Sequence, residues 1–161
     1  MWEGQAATAA DVHAAGARAH AAFSGWSLSS MAKRTQVLRD YGEALQSRKE
    51  DIALAISRDM GKPLWEARTE AGAMVAKIAV SIASYHDRTP TEISEDTRLT
   101  HRAHGVMAVF GPFNFPGHLP NGHIVPALLA GNCVVFKPSE LTPQVATIMA
   151  ECFQVADLPD G

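Results

Sequence analysis

The sequence predicts an α/β protein in which N-terminal helices lead into part of a doubly wound parallel sheet. Residues 1–90 place apolar side chains at helical spacing, whereas Val106–Phe110 and Cys133–Phe136 are short, wholly apolar runs. Such runs are typical of strands that are buried on both faces. A helix predicted over Gly117–Ala130 joins them, so the strands are expected to pair in parallel through a right-handed crossover.

Composition indicates a globular domain. Of the 161 residues, 47% are apolar and 19% are charged, and the net charge is -3. A folded chain of this kind offers no basic surface to nucleic acid or to an anionic membrane. The longest apolar run, around Ile124–Ala130, is too short to span a bilayer, and the N-terminus lacks a basic segment followed by an apolar one. We therefore expect a cytoplasmic protein with no nucleic-acid and no membrane partner.

The N-terminal half divides into helices at a clear break. Gly61 can adopt the left-handed conformation that ends a helix, and Pro63 can begin the next one. Trp26 and the serines up to Ser30 are predicted to form a connection. Helices are predicted over Thr8–Phe23, over Met31–Arg58 as one or two segments, and over Leu64–His86.

The C-terminal half begins with a different pattern. Thr89–Glu95 is predicted to be a polar connection, and the alternation over Thr97–His104 predicts an exposed strand. After the second apolar run, a helix is predicted over Thr142–Val155. Thr142 is expected to be its N-cap and Pro143 its first helical residue.

Asn114 is the first candidate for chemistry. It lies in GPFNFPG, where Gly111 and Pro112 end the strand while Pro116 and Gly117 delay the helix. A carboxamide held on a stiff turn at the carboxyl end of a strand could donate to an oxyanion. The alternative is that Asn114 only hydrogen-bonds the backbone of the turn.

Lys137 and Glu140 are the second candidates. They lie three residues apart in FKPSE, directly after the second apolar run. At that spacing an ammonium and a carboxylate could converge on one ligand, and a carboxylate that accepts from vicinal hydroxyls commonly holds an adenosine ribose. The alternative is a solvated ion pair, which is common and weak. The sequence has no G-x-G-x-x-G and no P-loop motif, so a nucleotide would need a different arrangement.

The cysteines and histidines predict neither a metal site nor an activated thiol. Cys133 lies inside an apolar run, and Cys152 has no adjacent basic group on its predicted helix. His118 and His123 are five residues apart on a segment interrupted by proline, which is a poor match for a zinc-binding pair.

Three motifs occur together in the C-terminal half: GPFNFP, PALLAGN and KPSELTP. In this order and at this spacing they resemble the aldehyde dehydrogenase superfamily, and the similarity extends back through DMGKPLWEARTE to cover nearly the whole chain. The stretch FNFPGHLPNGHIVPALLAGN is most similar to the branch that oxidises N-succinylglutamate 5-semialdehyde. The resemblance implies NAD-dependent oxidation of an aldehyde to a carboxylate through a thiohemiacetal formed on a cysteine.

The resemblance also implies roles for individual residues. Asn114 would be the oxyanion-hole asparagine. Glu140 would clash with a 2′-phosphate, so NAD is favoured over NADP. The implied cofactor-binding residues are Phe110, Gly111, Pro112, Phe113, Asn114, Lys137, Pro138, Ser139 and Glu140. The implied aldehyde-binding residues are Met74, Phe115 and His118, with Lys77 as a candidate for the substrate carboxylates or, alternatively, a solvent-facing lysine.

The family's remaining machinery is expected outside these residues. Its catalytic cysteine, general-base glutamate and glycine-rich turn would all follow Gly161. Residues 1–161 would then be a partial NAD-binding domain without the catalytic domain. Its parts would be a helical part over 1–90, a strand of the oligomerisation arm over 97–104 and a βαβα part over 105–161.

Two hypotheses follow from this division. In the first, the chain is part of an enzyme that is a homo-oligomer when whole, and the 161 residues alone are inactive. In the second, the chain is a non-catalytic remnant that binds nucleotide weakly or pairs with a related subunit.

Overall fold

The computed structural model describes residues 4–160. Its elements in chain order are α1 (Ala9–Leu28), α2 (Met31–Ser47), α3 (Lys49–Met60), α4 (Leu64–Arg88), β1 (Glu92–Ile93), β2 (Arg98–Leu99), β3 (Val106–Phe110), α5 (His118–Leu129), β4 (Cys133–Lys137) and α6 (Pro143–Val155). The predicted class is confirmed, because helices fill the first half and a parallel strand pair follows. Among the helices described, none is both long and apolar enough to cross a membrane.

Helix α1 is longer than the predicted range Thr8–Phe23. It continues to Leu28 because Trp26 is buried near its end and donates its indole N–H to the carbonyl oxygen of Leu128 at 3.0 Å. The predicted connection over Trp26–Ser30 is therefore wrong, since only two serines separate α1 from α2.

The region predicted as one or two helices contains two, and Arg48 separates α2 from α3. Helix α3 ends at Gly61, which has a left-handed φ of 74°, as predicted. Helix α4 begins directly after Pro63. The link between α3 and α4 is therefore short and stiff, and it contains Lys62.

The predicted strand Thr97–His104 is mostly irregular. Only Arg98–Leu99 forms a strand, and it pairs antiparallel with Glu92–Ile93, which the sequence assigned to a polar connection. At the end of the predicted strand, the backbone N–H of His104 donates to the Asn132 side chain at 2.8 Å instead of to another strand. A side chain therefore satisfies this backbone N–H, and the strand does not extend as far as His104.

Strands β3 and β4 come before and after α5 in the sequence, and they pair in parallel, as predicted. Val106 lies opposite Cys133, and Phe110 lies opposite Lys137. The expectation that the strands are buried on both faces is wrong: Val109 is the buried residue of β3, and Phe110 is 75% exposed. Within residues 4–160 each of these strands has a single partner, so the backbone groups along its other edge are not paired with a strand.

Helix α6 begins at Pro143, as predicted. Thr142 occupies the N-cap position, but its side chain makes no capping hydrogen bond, and its buried hydroxyl has no partner within the described residues. Asp59 of α3 instead accepts from the backbone N–H of Gln144 at 3.3 Å. Burial raises the pKa of the Asp59 carboxyl group. The predicted N-cap position of Thr142 is thus confirmed, while a side chain of another helix supplies the hydrogen bond to the first turn.

The helical half and the strand pair share one core. Asn121 of α5 is fully buried, accepts from the Tyr41 hydroxyl at 3.1 Å and donates to the Met74 carbonyl oxygen at 3.0 Å. The Tyr41 ring stacks on Phe153 at a centroid distance of 3.6 Å. Burial holds the pKa of Tyr41 well above its usual value, so its hydroxyl stays protonated and can donate. These bonds hold α5 against α2 and α4.

Candidate functional site

Residues 111–117, called the elbow from here on, lead from β3 to α5. The Gly111 N–H donates to the Lys137 carbonyl oxygen at 2.9 Å, which continues the parallel pairing beyond β3. The side chains of Phe113, Asn114 and Phe115 are exposed. Among the described residues, the hydrogen bond of Asn114 uses its backbone carbonyl oxygen. Its carboxamide is therefore available to a ligand at the carboxyl end of β3.

Lys137 and Glu140 form an ion pair at the end of β4. The ammonium lies 2.7 Å from the carboxylate, and the two side chains are 58% and 76% exposed. The hydrogen bond from Lys137 holds the pKa of the Glu140 carboxyl group below its usual value, so Glu140 is ionised at neutral pH. Between them, the Ser139 hydroxyl accepts from the Leu141 N–H at 3.2 Å and shapes the turn.

The parallel register brings the two candidate groups to one edge of the sheet. Asn114 follows the carboxyl end of β3, and the Lys137–Glu140 pair follows the carboxyl end of β4. Phe110 lies opposite Lys137, so their side chains project from the same face of the sheet. The edge therefore combines an amide donor, an ion pair and an exposed aromatic ring.

A buried ion pair lies behind the elbow. Lys62 and Glu70 are in contact at 2.6 Å, and their side chains are only 4% and 1% exposed. The Lys62 ammonium also donates to the Asn114 carbonyl oxygen at 3.0 Å and lies 4.0 Å from the centroid of the Phe115 ring. The second oxygen of Glu70 accepts from the backbone N–H groups of Gly117 and His118, at 3.1 Å and 3.2 Å. The pair thus contacts the middle of the elbow at Asn114 and its C-terminal end at Gly117.

Lys62 and Glu70 are absent from the residues predicted to act at the site. A signal for Glu70 exists, because it lies on the apolar stripe of α4, three residues after Ala67 and four before Met74. A carboxylate on such a stripe is buried and needs a partner. The sequence does not show that this partner is Lys62, in the link before the same helix, or that the elbow completes the set.

The residues predicted to bind the aldehyde lie on α4 and around the elbow. Met74 is fully buried in the core, and Lys77, half-buried, lies alongside Gly122 of α5. Phe115 is exposed beneath the Lys62 ammonium. His118 begins α5, and its buried Nδ1 has no hydrogen-bond partner in the part of the chain that the structure describes.

The two cysteines lie in the core, away from the elbow. Burial raises the pKa of the Cys133 thiol and of the Cys152 thiol. At neutral pH both are protonated, and a protonated thiol is a poor nucleophile. Neither cysteine therefore meets the requirements of a catalytic thiolate.

Comparison with known protein families identifies the family to which the chain belongs. The sequence pattern described as "Aldehyde dehydrogenase family" matches residues 1–161. The chain belongs to the aldehyde dehydrogenase family, as its motifs indicate.

Two curated relatives of the chain share one name. N-succinylglutamate 5-semialdehyde dehydrogenase from Burkholderia vietnamiensis is 55% identical over 164 residues, which cover 99% of this chain and 34% of that protein. The protein of the same name from Chromohalobacter salexigens is 53% identical over 165 residues, with 100% and 34% covered. The chain therefore spans about a third of the length of the curated relatives that it matches.

Solved structures agree with the family assignment. A mutant of aldehyde dehydrogenase C from Pseudomonas syringae, in complex with NAD+ and octanal, superimposes with a TM-score of 0.89 at 35% identity. The match covers 94% of this chain and 31% of that one. Glyceraldehyde-3-phosphate dehydrogenase from Methanocaldococcus jannaschii, complexed with NADP, gives a TM-score of 0.84 at 26% identity, with 94% and 34% covered. The fold described above is thus the corresponding part of an aldehyde dehydrogenase.

Proposed function

We propose that residues 1–161 supply the oxyanion donor and part of the cofactor site of an NAD-dependent enzyme that oxidises N-succinylglutamate 5-semialdehyde to N-succinylglutamate. The observation that carries this proposal is the parallel register of β3 and β4, which places Asn114 and the Lys137–Glu140 pair at one edge of the sheet. The choice of aldehyde rests on relatives of that name at 53% to 55% identity.

The residues after β4 fit the adenosine part of NAD. Glu140 is ionised and exposed, so its oxygens can accept from two vicinal ribose hydroxyls, and Lys137 can donate beside it. A 2′-phosphate at the same position would be repelled by the carboxylate, which favours NAD over NADP. Ser139 shapes this turn through its hydrogen bond with the Leu141 N–H, and we propose that Pro138, Gly111 and Pro112 line the adjoining cleft. NAD supplies the hydride acceptor when it is bound.

Exposed aromatic rings at the same edge of the sheet are evidence for a binding cleft there. Phe110 is 75% exposed and Phe113 is 53% exposed, although both are large and apolar. Uncovered apolar surface next to convergent polar groups is typical of a binding site. We propose that these two rings line the cofactor cleft.

Asn114 has a separate part in the chemistry. Its carboxamide N–H would donate to the substrate carbonyl oxygen as negative charge develops there during nucleophilic attack. Cys133 and Cys152 do not suit the role of nucleophile, because burial raises the pKa of both thiols. We propose that the attacking thiolate comes from outside residues 1–161.

The aldehyde would lie between the elbow and α4. We propose that Phe115 and His118 contact it from the elbow and the first turn of α5, with the buried Met74 packed behind them against Gly117. Lys77 is the basic residue that we propose for a carboxylate of the substrate. Within residues 4–160 its ammonium takes part in no ion pair, and it lies along α5 beside Gly122.

The hairpin β1–β2 suits a contact between subunits. Ile93 is 74% exposed and Leu99 is 50% exposed on this short two-stranded ribbon. We propose that it pairs with a second subunit in a homo-oligomer. The same feature would serve the alternative function, in which the chain is a non-catalytic remnant that joins a related subunit.

A chimera tests the proposed function. Residues 1–161 would replace the matching third of the Burkholderia vietnamiensis relative, and NADH formation with N-succinylglutamate 5-semialdehyde would be followed at 340 nm. We expect activity within about tenfold of the parent enzyme, a difference of about 1.4 kcal/mol in the barrier. The 161-residue chain alone should give no turnover, because it lacks an activated nucleophile.

The chimera and the 161-residue chain together separate the two hypotheses. An inactive but folded chimera would support the remnant, since these residues would then have lost the ability to complete an active site. NADH formation by the 161-residue chain alone would contradict the proposal that the nucleophile lies elsewhere.

Replacing Glu140 tests the ribose assignment. In the chimera, Glu140→Gln should weaken NAD binding by roughly 10- to 100-fold, the range of a lost hydrogen bond to a charged group, and should reduce the preference over NADP. Isothermal titration calorimetry with each cofactor measures both effects. Glu95→Gln, in the exposed loop between β1 and β2, is the matched control. Unchanged affinity for NAD in the Glu140 variant would mean that Glu140 only pairs with Lys137 in solvent.

A further inference from the structure

The buried Lys62–Glu70 pair has an unusual set of partners. Removing two charges from water is unfavourable unless further hydrogen bonds satisfy both groups. Within residues 4–160, the remaining partners of this pair lie on the chain from Asn114 to His118. The pair therefore depends on the elbow for its stability, and the elbow depends on the pair for its position.

Lys62 holds the middle of the elbow. Its ammonium donates to the Asn114 carbonyl oxygen and stacks over the Phe115 ring. Lys62 itself lies in the link between α3 and α4, where its own carbonyl oxygen accepts from the Ser57 hydroxyl at 2.8 Å and Gly61 takes the left-handed conformation. The backbone of Lys62 is therefore held in place, and its ammonium in turn holds the peptide group that follows Asn114.

Glu70 holds the C-terminal end of the elbow. Its carboxylate accepts from Gly117, the N-cap residue of α5, and from His118, the first residue of that helix. Gly117 has no side chain to cap the helix, and a Cβ at this position would collide with Met74. A negative charge at a helix N-terminus is favourable, so Glu70 serves as the cap that the local sequence lacks.

We propose that Lys62 and Glu70 are positioning residues for Asn114: they clamp the elbow at its middle and at its C-terminal end, and so aim the Asn114 carboxamide at the edge of the sheet. This inference rests on the proposed function, since it assigns the clamp a role in the oxidation. It adds that the rate of aldehyde oxidation depends on two buried side chains, Lys62 and Glu70, and that neither touches substrate or cofactor.

Amide exchange in the 161-residue chain tests the clamp without any activity. In Glu70→Gln we expect the amides of Gly117 and His118 to exchange about tenfold faster or more, because charge-assisted hydrogen bonds are replaced by weaker neutral ones. The amide shifts of residues 113–118, except Pro116, should change with them. Two-dimensional NMR of the 15N-labelled chain measures both effects.

The exposed ion pair between Glu50 of α3 and Arg68, two residues before Glu70 on α4, offers a matched control. The charged groups lie 2.6 Å apart, and both side chains are about half exposed. Glu50→Gln should leave the amides of the elbow unchanged. Equal exchange rates of Gly117 and His118 in wild type and Glu70→Gln would overturn the clamp.

Kinetics of the chimera test the positioning role. Glu70→Gln should lower kcat about 10- to 100-fold with KM changed less than threefold, since a misplaced donor weakens the transition state more than it weakens substrate binding. Adding Asn114→Ala to Glu70→Gln should then lower kcat much less than Asn114→Ala does in the unmodified chimera. Such non-additivity shows that the two residues act as one unit.

The possible outcomes are distinct. If the two substitutions multiply independently, Glu70 is only a stabilising residue and the positioning role is overturned, even though the chimera works. If the unmodified chimera is inactive, the proposed function fails, and the exchange experiment still decides whether the clamp exists.

Discussion

Replacing Lys62 by Met is expected to lower the free energy of unfolding by about 3–5 kcal/mol, the range found when one partner of a buried pair is removed. The reason is Glu70, which is 1% exposed and would keep a charge without its counter-ion. Urea unfolding of the 161-residue chain, followed by circular dichroism, measures the change. If Lys62→Met does not fold at all, the expected loss of stability is still supported, provided that the double variant described next does fold.

The double variant Lys62→Met with Glu70→Gln separates charge from packing. It removes both charges and keeps an oxygen that can accept from Gly117 and His118, so most of the lost stability should return. Lys33→Met is the matched control, because Lys33 pairs with Asp157 at 3.7 Å while exposed to solvent. That control should change stability by less than about 1 kcal/mol. A Lys62→Met variant as stable as the Lys33 control would show that Glu70 does not need its partner.

Replacing Asn114 by Ala in the chimera is expected to lower kcat by about 100- to 1000-fold, the loss measured when an oxyanion-hole donor is removed elsewhere. The carboxamide is exposed at the carboxyl end of β3, and the hydrogen bond that Asn114 makes within the described residues uses its carbonyl oxygen instead. Its removal should therefore leave stability and KM nearly unchanged. Steady-state kinetics with N-succinylglutamate 5-semialdehyde measures this pattern.

Two further variants show whether the donor itself matters. Asn114→Asp has the same shape but no N–H, so it should be at least as slow as the alanine variant. Gln36→Ala removes an exposed amide on α2 and should have no effect on kcat. A higher KM with an unchanged kcat for Asn114→Ala would instead indicate a residue that only shapes the turn.

Local patterns predicted the elements that surround the candidate site. The apolar runs of β3 and β4, the left-handed Gly61 and the start of α6 at Pro143 all depend on residues close together in sequence. The errors arose where a distant contact decided the outcome. Trp26 extends α1 because Leu128 accepts its indole N–H, and the strand predicted over Thr97–His104 is shorter because the Asn132 side chain accepts from the His104 N–H.

By itself, the sequence determined the fold class, the parallel strand pair and the candidate groups Asn114, Lys137 and Glu140. These follow from apolar periodicity and from glycine and proline at strand ends, which act over a few residues. Only the tertiary structure decided what holds the elbow in place. Glu70 finds its hydrogen-bond donors 47 residues away at Gly117, and a buried charge can be satisfied only by whatever the fold packs against it.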